Sequence, residues 1–376
     1  MATLRCRICE SSFPARPLAT CPHCDGPLDV AYDAPSLVTN RHDLQGDSIW
    51  RYQALLPHTC DDLHLPRTPL VEAPRLSDLL GVELSLKLET ANPTRSFKDR
   101  LAASAVAAAR AFELETVCCV SGGNLGDAVT AACEAAGLEA VVLAPTAEAR
   151  GRAYAVSGDL DDCRRLERAL EPRLPWGFVE GNLAPFAAEG AKTVAFEIAE
   201  QLGGRVPDAV VSPLASGTLF AKIAQGFAEL GGPLPRMIGG QPAGCPPLAA
   251  AFLEQRRPSR VTPRTEARSL AVGDPSYGEL ALGSARVTGG AIRSVPEDRI
   301  RSYSALLAEM TGVFADSAAG VALGALLQCL RDGVVEEGAR VVLVVTGTPA
   351  QQASGPRPRE IAASADAFLS AYAAGG

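Results

Sequence analysis

Residues 92–100 read NPTRSFKDR and lead straight into LAASAVAAARAF, residues 101–112. Asn92-Pro93-Thr94 is turn chemistry. Ser96 and Asp99 stand three apart, a variant of the capping box with Asp in place of Glu. The alanine-rich run Leu101 to Phe112 has the propensity of a helix. Lys98 is therefore expected in the first helical turn. The positive end of the helix dipole repels a protonated lysine there and lowers its pKa. A lysine that works as a neutral amine gains from this position; the competing reading is a solvated surface lysine. The chain has only four lysines among 35 basic residues, so the placement is informative.

The 376 residues suffice for two domains and a small module. Hydrophobic content is 47% and charged content 21%, enough for a sizeable core. A net charge of −8 without any basic run argues against a nucleic-acid partner. The longest apolar runs, such as Ala102 to Ala109, are broken well short of a membrane span. The opening MATLRCRIC has no apolar signal-peptide core. These features predict a cytoplasmic protein with no membrane partner. Of the 11 cysteines, four cluster near the start. The others are scattered through apolar segments and read as buried small hydrophobes in a reducing compartment.

Cys6-x-x-Cys9 and Cys21-x-x-Cys24 are separated by 11 residues, the spacing of a zinc ribbon. Each pair puts two thiolates on one side of a tight turn. Four thiolates close a tetrahedral site with no position left for water, so the Zn²⁺ is expected to be structural. His23 lies between two of these ligands, but a four-cysteine site needs no fifth. The module is expected to end near Tyr32-Asp33.

Beyond it, short β-branched runs alternate with helical stretches. The runs are Val117–Val120, Ala140–Leu143, Ala209–Val211 and Val341–Val345, as buried parallel strands tend to read. Helices are expected at 101–112, 127–136, 191–202, 218–230, 299–311 and 318–331, several with glycine stops. Residues 350–359 read as a surface linker before a last helix, Ile361 to Tyr372. The pattern is open α/β, in which ligands gather where strands hand over to helices. Three handovers stand out: Ser121-Gly122-Gly123-Asn124, Ser216-Gly217-Thr218 and Thr346-Gly347. The first suits a carboxylate through its backbone amides and the helix behind it. The second offers a glycine and two hydroxyls to a phosphate, and the third places a hydroxyl at a strand end.

In this order the pieces resemble threonine synthase and its relatives among the fold-type II pyridoxal-phosphate enzymes, the tryptophan synthase β-like architecture. The resemblance rests on the ribbon, Arg67-Thr68-Pro69-Leu70, Leu86-Lys87-Leu88-Glu89, Asn92-Pro93-Thr94 and Ser96-Phe97-Lys98-Asp99-Arg100. It continues through Ser121 to Gly126, Glu189-Gly190-Ala191-Lys192-Thr193 and Thr346-Gly347. It implies two open α/β domains after a ribbon at 1–34. The larger, cofactor-binding domain would take 35–95 and 191–376, and the smaller one 96–190. It implies that Lys98 forms the Schiff base with pyridoxal 5'-phosphate, that Asn124 bonds the ring hydroxyl and that Thr346 faces the pyridine nitrogen. Ser216, Gly217 and Thr218 would hold the phosphate. Ser121, Gly122, Gly123, Asn182 and Arg95 would meet an amino-acid substrate, and the enzyme would be a homodimer. All four histidines lie in the first 64 residues, outside the motif-bearing body. The Lys98 amine itself is then the expected base at the substrate Cα.

Four departures from the family pattern bear on substrate. Ala187 stands where the family has an arginine that grips the phosphate of O-phosphohomoserine, and Gly181-Asn182 replaces a polar pair. Gly122 replaces a threonine. Ala215 replaces a glycine in the phosphate loop. Finally, only residues 145–152 join the strand at 140–143 to the next apparent one, where a parallel crossover usually needs a dozen residues or more. The small domain is thus expected to be truncated near 145–152. The favoured reading is a lyase catalysing β/γ-elimination or replacement on an amino acid whose leaving group is not phosphate. A genuine threonine synthase, with Arg95 taking over the phosphate, and a catalytically inactive scaffold stay open as alternatives.

Overall fold

The computed structural model describes residues 2–32, 45–349 and 357–374. The expected module end at Asp33, His42 and most of the expected linker lie outside these residues. Strands β1 (Ala2–Cys6), β2 (Ser12–Pro14) and β3 (Leu28–Tyr32) form a small antiparallel sheet in the order β2-β1-β3. Its inward residues Leu4, Leu28 and Val30 share one apolar cluster with Trp50, Leu63, the alanine face of 102–109 and Phe186. The ribbon is therefore packed into the body rather than hung from it.

The larger sheet contains β4 (Leu70–Glu72), β5 (Glu83–Leu88), β10 (Ala209–Pro213), β11 (Arg236–Pro242), β12 (Ala291–Val295) and β13 (Arg340–Val345). Its order is β12-β11-β10-β13-β5-β4, parallel except for β4. Val341 to Val345 are all fully buried, as expected of a central strand covered on both faces. The smaller sheet contains β6 (Thr116–Val120), β7 (Glu139–Pro145), β8 (Tyr154–Val156), β9 (Gly177–Phe178) and β14 (Arg359–Ile361), in the order β14-β8-β7-β6-β9 and parallel throughout.

The short link between β7 and β8 is real, and the register explains it. The two strands overlap only from Leu143↔Tyr154 to Pro145↔Val156. The chain must climb back roughly 10 Å, three residues of strand, rather than a whole strand length. A loop can do that without a crossover helix.

Two sequence expectations about the tail need correction. Ile361 is not in a helix: Arg359–Ile361 is a strand, and the last helix is Ala365–Ala373. Nor does this tail join the large sheet, as the expected boundary at 376 required. It pairs with β8, and Phe368 and Tyr372 pack on Trp176 of the small domain. The other helices fall close to expectation, at Lys98–Ala111, Asn124–Ala136, Thr218–Glu229, Glu297–Thr311 and Ser317–Arg331. The stretch at 191–202 becomes a 3-10 turn followed by Thr193–Gln201.

Candidate active site

Lys98 is the first residue of its helix. The predicted capping box does not form. Asp99 turns back to accept from the Thr94 backbone N–H at 2.8 Å and the Thr94 hydroxyl at 2.7 Å, while Ser96 Oγ accepts from the Lys98 N–H at 3.3 Å. The turn before the lysine is thereby closed from both ends. The Phe97 N–H donates to Thr346 O at 3.0 Å, and the Thr348 N–H donates to Arg95 O at 3.1 Å. Asn124 Nδ2 donates to Thr348 O at 3.3 Å. Backbone pairing thus brings Lys98, Asn124 and Thr346 to one place, at the C-terminal ends of β6 and β13. The phosphate-like loop follows β10, the neighbour of β13, at the same end of the sheet.

Three of the four lysines have carboxylate partners. Lys87 Nζ is 2.6 Å from Glu197, Lys192 is 2.9 Å from Glu229, and Lys222 is 2.7 Å from Glu189. Among the described residues Lys98 Nζ has no hydrogen bond or ion pair, only the Phe97 ring at 4.9 Å. Burial holds it below the usual lysine range, although the charge of Glu180 pulls it the other way. The motifs around it serve a different purpose. Arg100 Nε and Nη2 bind Glu89 at 2.7 and 2.8 Å, and Nη1 and Nη2 bind Glu197 at 2.6 and 2.9 Å. Thr68, Asn92 and Thr193 complete this wholly buried set. Two cations and two carboxylates cancel, and their hydrogen bonds lock the Lys98 turn to β5 and to the helix at 193–201.

The loop at 216–218 fits a phosphate. Gly217 adopts a left-handed φ of 88°, and a Cβ there would stand 2.9 Å from Tyr277 O. Ser216 Oγ and Thr218 Oγ1 lie 3.0 Å apart at the start of a helix with no side-chain cap, so its first amides are available to an anion. In the ribbon, Cys6, Cys9, Cys21 and Cys24 bring their sulfurs within 4.8 Å of one another. The Cys6–Cys24 and Cys9–Cys21 contacts are both 3.5 Å. The edge of a tetrahedron with Zn–S bonds of about 2.3 Å is about 3.8 Å, so the set suits a zinc ion.

The residues expected to meet a substrate depart more from the family pattern. Ser121 Oγ accepts from the Gly123 N–H at 3.1 Å. A Cβ at Gly122 would collide with the Glu148 side chain, which the short β7–β8 link lays against the turn. The family's threonine has no room here. The same link pairs Arg150 with Asp127, in the first turn of the next helix, at 3.3 Å. Asn182 does not face a pocket as expected: its Oδ1 accepts from the Phe178 N–H at 2.8 Å and its Nδ2 donates to Trp176 O at 3.0 Å. Ala187 is buried in the apolar cluster with Phe186. Arg95 is exposed and holds a φ of 63°, the left-handed conformation that glycine adopts without strain. Glu180 is exposed, yet desolvation raises its pKa against the pull of Arg164 and Lys98. Glu148, Arg150 and Glu180 escaped the sequence reading; the only signal was their place in the two segments that depart from the family pattern.

Residues 62–347 match the family described as "Pyridoxal-phosphate dependent enzyme". The chain belongs to that family. It is a pyridoxal-phosphate-dependent enzyme of the threonine synthase-like, fold-type II group. The chain is 30% identical to the threonine synthase of Methanosarcina acetivorans, over 92% of this chain and 91% of that protein. It is 33% identical to the threonine synthase of Mycobacterium bovis, over 74% and 80%. Among solved structures it resembles maize serine racemase, with a TM-score of 0.69 at 18% identity, covering 82% of this chain and 95% of that one. A threonine deaminase from Solanum lycopersicum gives a TM-score of 0.69 at 20% identity, over 85% and 95%. These two likenesses concern the pyridoxal-phosphate enzyme fold alone. No helix among the described residues is long and apolar enough to cross a membrane.

Proposed function

We propose that this enzyme is a lyase or replacement enzyme for an amino acid whose leaving group at Cβ or Cγ is not a phosphate. The observation that carries the reading is a carboxylate on the substrate side: Glu148 packs against Gly122, in the turn that would hold the substrate. Ala187 contributes no cation where the family pattern has one. A dianionic leaving group meets repulsion here instead of a guanidinium contact worth about 1.5–3 kcal/mol.

Pyridoxal phosphate, when bound, supplies an electron sink for negative charge at the substrate Cα. The rest falls to this chain's residues. The amides of Ser121 to Asn124 hold the substrate carboxylate. Lys98 Nζ, unpaired and held low by burial, takes the proton from Cα. Asn124 orients the ring hydroxyl, Thr346 meets the pyridine nitrogen without protonating it, and Ser216, Gly217 and Thr218 hold the phosphate. The same reading places Zn²⁺ in the ribbon and makes the enzyme a cytoplasmic homodimer.

A second reading, threonine synthase proper, is favoured by Arg150, whose guanidinium stands beside the helix behind the carboxylate turn. Turnover of O-phosphohomoserine should be measured against O-acetylated and free hydroxy amino acids. The proposal expects the latter to compete well. Threonine and phosphate formed from O-phosphohomoserine far faster than any other product would establish the second reading.

A further inference from the structure

Arg7 lies between two ribbon cysteines, Cys6 and Cys9. Its Nε and Nη2 bind both oxygens of Asp29 on β3, at 2.7 and 2.8 Å. The same guanidinium stacks over the Tyr277 ring, 4.2 Å from its centroid. Tyr277 in turn grips the loop at 216–218 by its backbone. Its N–H donates to Ser216 O at 2.9 Å, and its carbonyl fills the space a Cβ of Gly217 would need. A second strut runs from Asp29 to Lys222, at 3.5 Å, on the helix that begins with Thr218. Lys222 is anchored further by Glu189 at 2.7 Å and Gln225 at 2.8 Å. Two contacts, Arg7 on Tyr277 and Asp29 on Lys222, thus connect the ribbon to one short loop and the helix behind it, and Arg7 and Asp29 are bound to each other.

This loop has Ala215 at a position that is glycine in the family pattern, and Gly217 is its only glycine from 214 to 218. Its turn is set at Gly217, whose left-handed backbone packs against the Tyr277 carbonyl, so the geometry of the loop depends on where Tyr277 is held. We infer that the ribbon is a positioning device for the cofactor-phosphate loop and that Arg7 is the positioning residue through which it acts. The inference rests on the proposed assignment of the phosphate to Ser216, Gly217 and Thr218.

The test is the affinity of the purified full-length chain for pyridoxal phosphate, by absorbance titration, together with the 31P NMR signal of the bound phosphate. Arg7→Ala is expected to weaken binding about 5- to 50-fold, the range of a coupling of roughly 1–2.3 kcal/mol, and to shift or broaden the 31P signal. Arg7→Lys, which keeps the charge beside Asp29, should recover part of the loss. Tyr277→Leu keeps the backbone grip but removes the ring, and serves if Arg7→Ala does not fold. It should weaken binding in the same direction. Ser216→Ala with Thr218→Val is the control for the phosphate assignment. If the control weakens binding while Arg7→Ala and Tyr277→Leu leave both affinity and 31P signal unchanged, the ribbon does not position the loop. If the control itself has no effect, the phosphate assignment falls and takes the inference with it.

Discussion

Lys98 and Arg100 stand two residues apart on one helix, and their surroundings are opposites. Arg100 is wholly enclosed and spends its donors on two carboxylates and two threonine hydroxyls. Lys98 is half-buried, with the Phe97 ring beside its Nζ and no polar partner among the described residues. The first turn of one helix therefore carries both kinds of cation. One is neutralised by carboxylates and fixes the backbone; the other has no counter-ion, which on the proposed reading leaves its amine free to react. Leaving an ammonium without a counter-ion costs free energy, and the enclosed ion set supplies the rigidity that keeps it in place.

The largest effect should come from Lys98→Ala, which sharpens that division. Turnover and the visible absorption band after reconstitution with pyridoxal phosphate should vanish, while stability to denaturant changes by less than about 1 kcal/mol. Borohydride reduction of the wild type and peptide mapping should mark Lys98. A mark on Lys87, Lys192 or Lys222 would overturn the assignment. Labelling with an amine reagent adds a pH criterion. Lysine reacts as the free amine, and a value below the usual 10.4 or so gives Lys98 a larger free-amine fraction at any lower pH. Burial lowers Lys87 as well, but it is fully enclosed. Lys98 should therefore label first among the four in the cofactor-free protein.

Arg100→Leu tests the other half. It strands Glu89 without its cation, leaves Glu197 with Lys87 alone, and should destabilise the protein by about 3–5 kcal/mol in urea unfolding. A loss below about 1 kcal/mol would mean that the ion set does not hold the turn. The smallest effect belongs to the substrate turn. Gly122→Thr should cost about 1–3 kcal/mol by overpacking against Glu148, and Glu148→Gly in the same chain, which removes the Cβ standing 2.4 Å from the new one, should recover most of it. Additive costs in that double-mutant cycle would show that the two side chains do not compete for one space.

The parts that the sequence disclosed were those with strong local signals. Val341–Val345 is a run of β-branched residues and leucine, and it is the central strand β13. The alanine run after Lys98 is a helix that packs without bulk. β11 was hidden because its middle is Gly239-Gly240, poor strand formers. Those glycines answer to tertiary contacts: a Cβ at Gly239 would strike Leu214, and one at Gly240 would lie 2.7 Å from Val321 O. β14 was hidden because Arg359-Glu360-Ile361 has one apolar residue and its partner lies about two hundred positions away. At the site, Lys98, Asn124 and Thr346 were legible as motif residues at strand ends. Glu148 was not, because only the register of β7 on β8 tells where the loop between them lands. Asn182 misled because an amide near the substrate segment reads the same whether it faces a ligand or, as here, its own backbone.

The pairing of β14 with β8 has a consequence for how the chain is made. A ribosome delivers the strands of the small sheet, residues 116–178, long before it delivers residues 359–373. During that interval β8 is an open edge, and the Trp176 surface that Phe368 and Tyr372 later cover faces water. The small domain therefore cannot complete itself as it emerges. It waits, exposed, until residues 359–373 have been made.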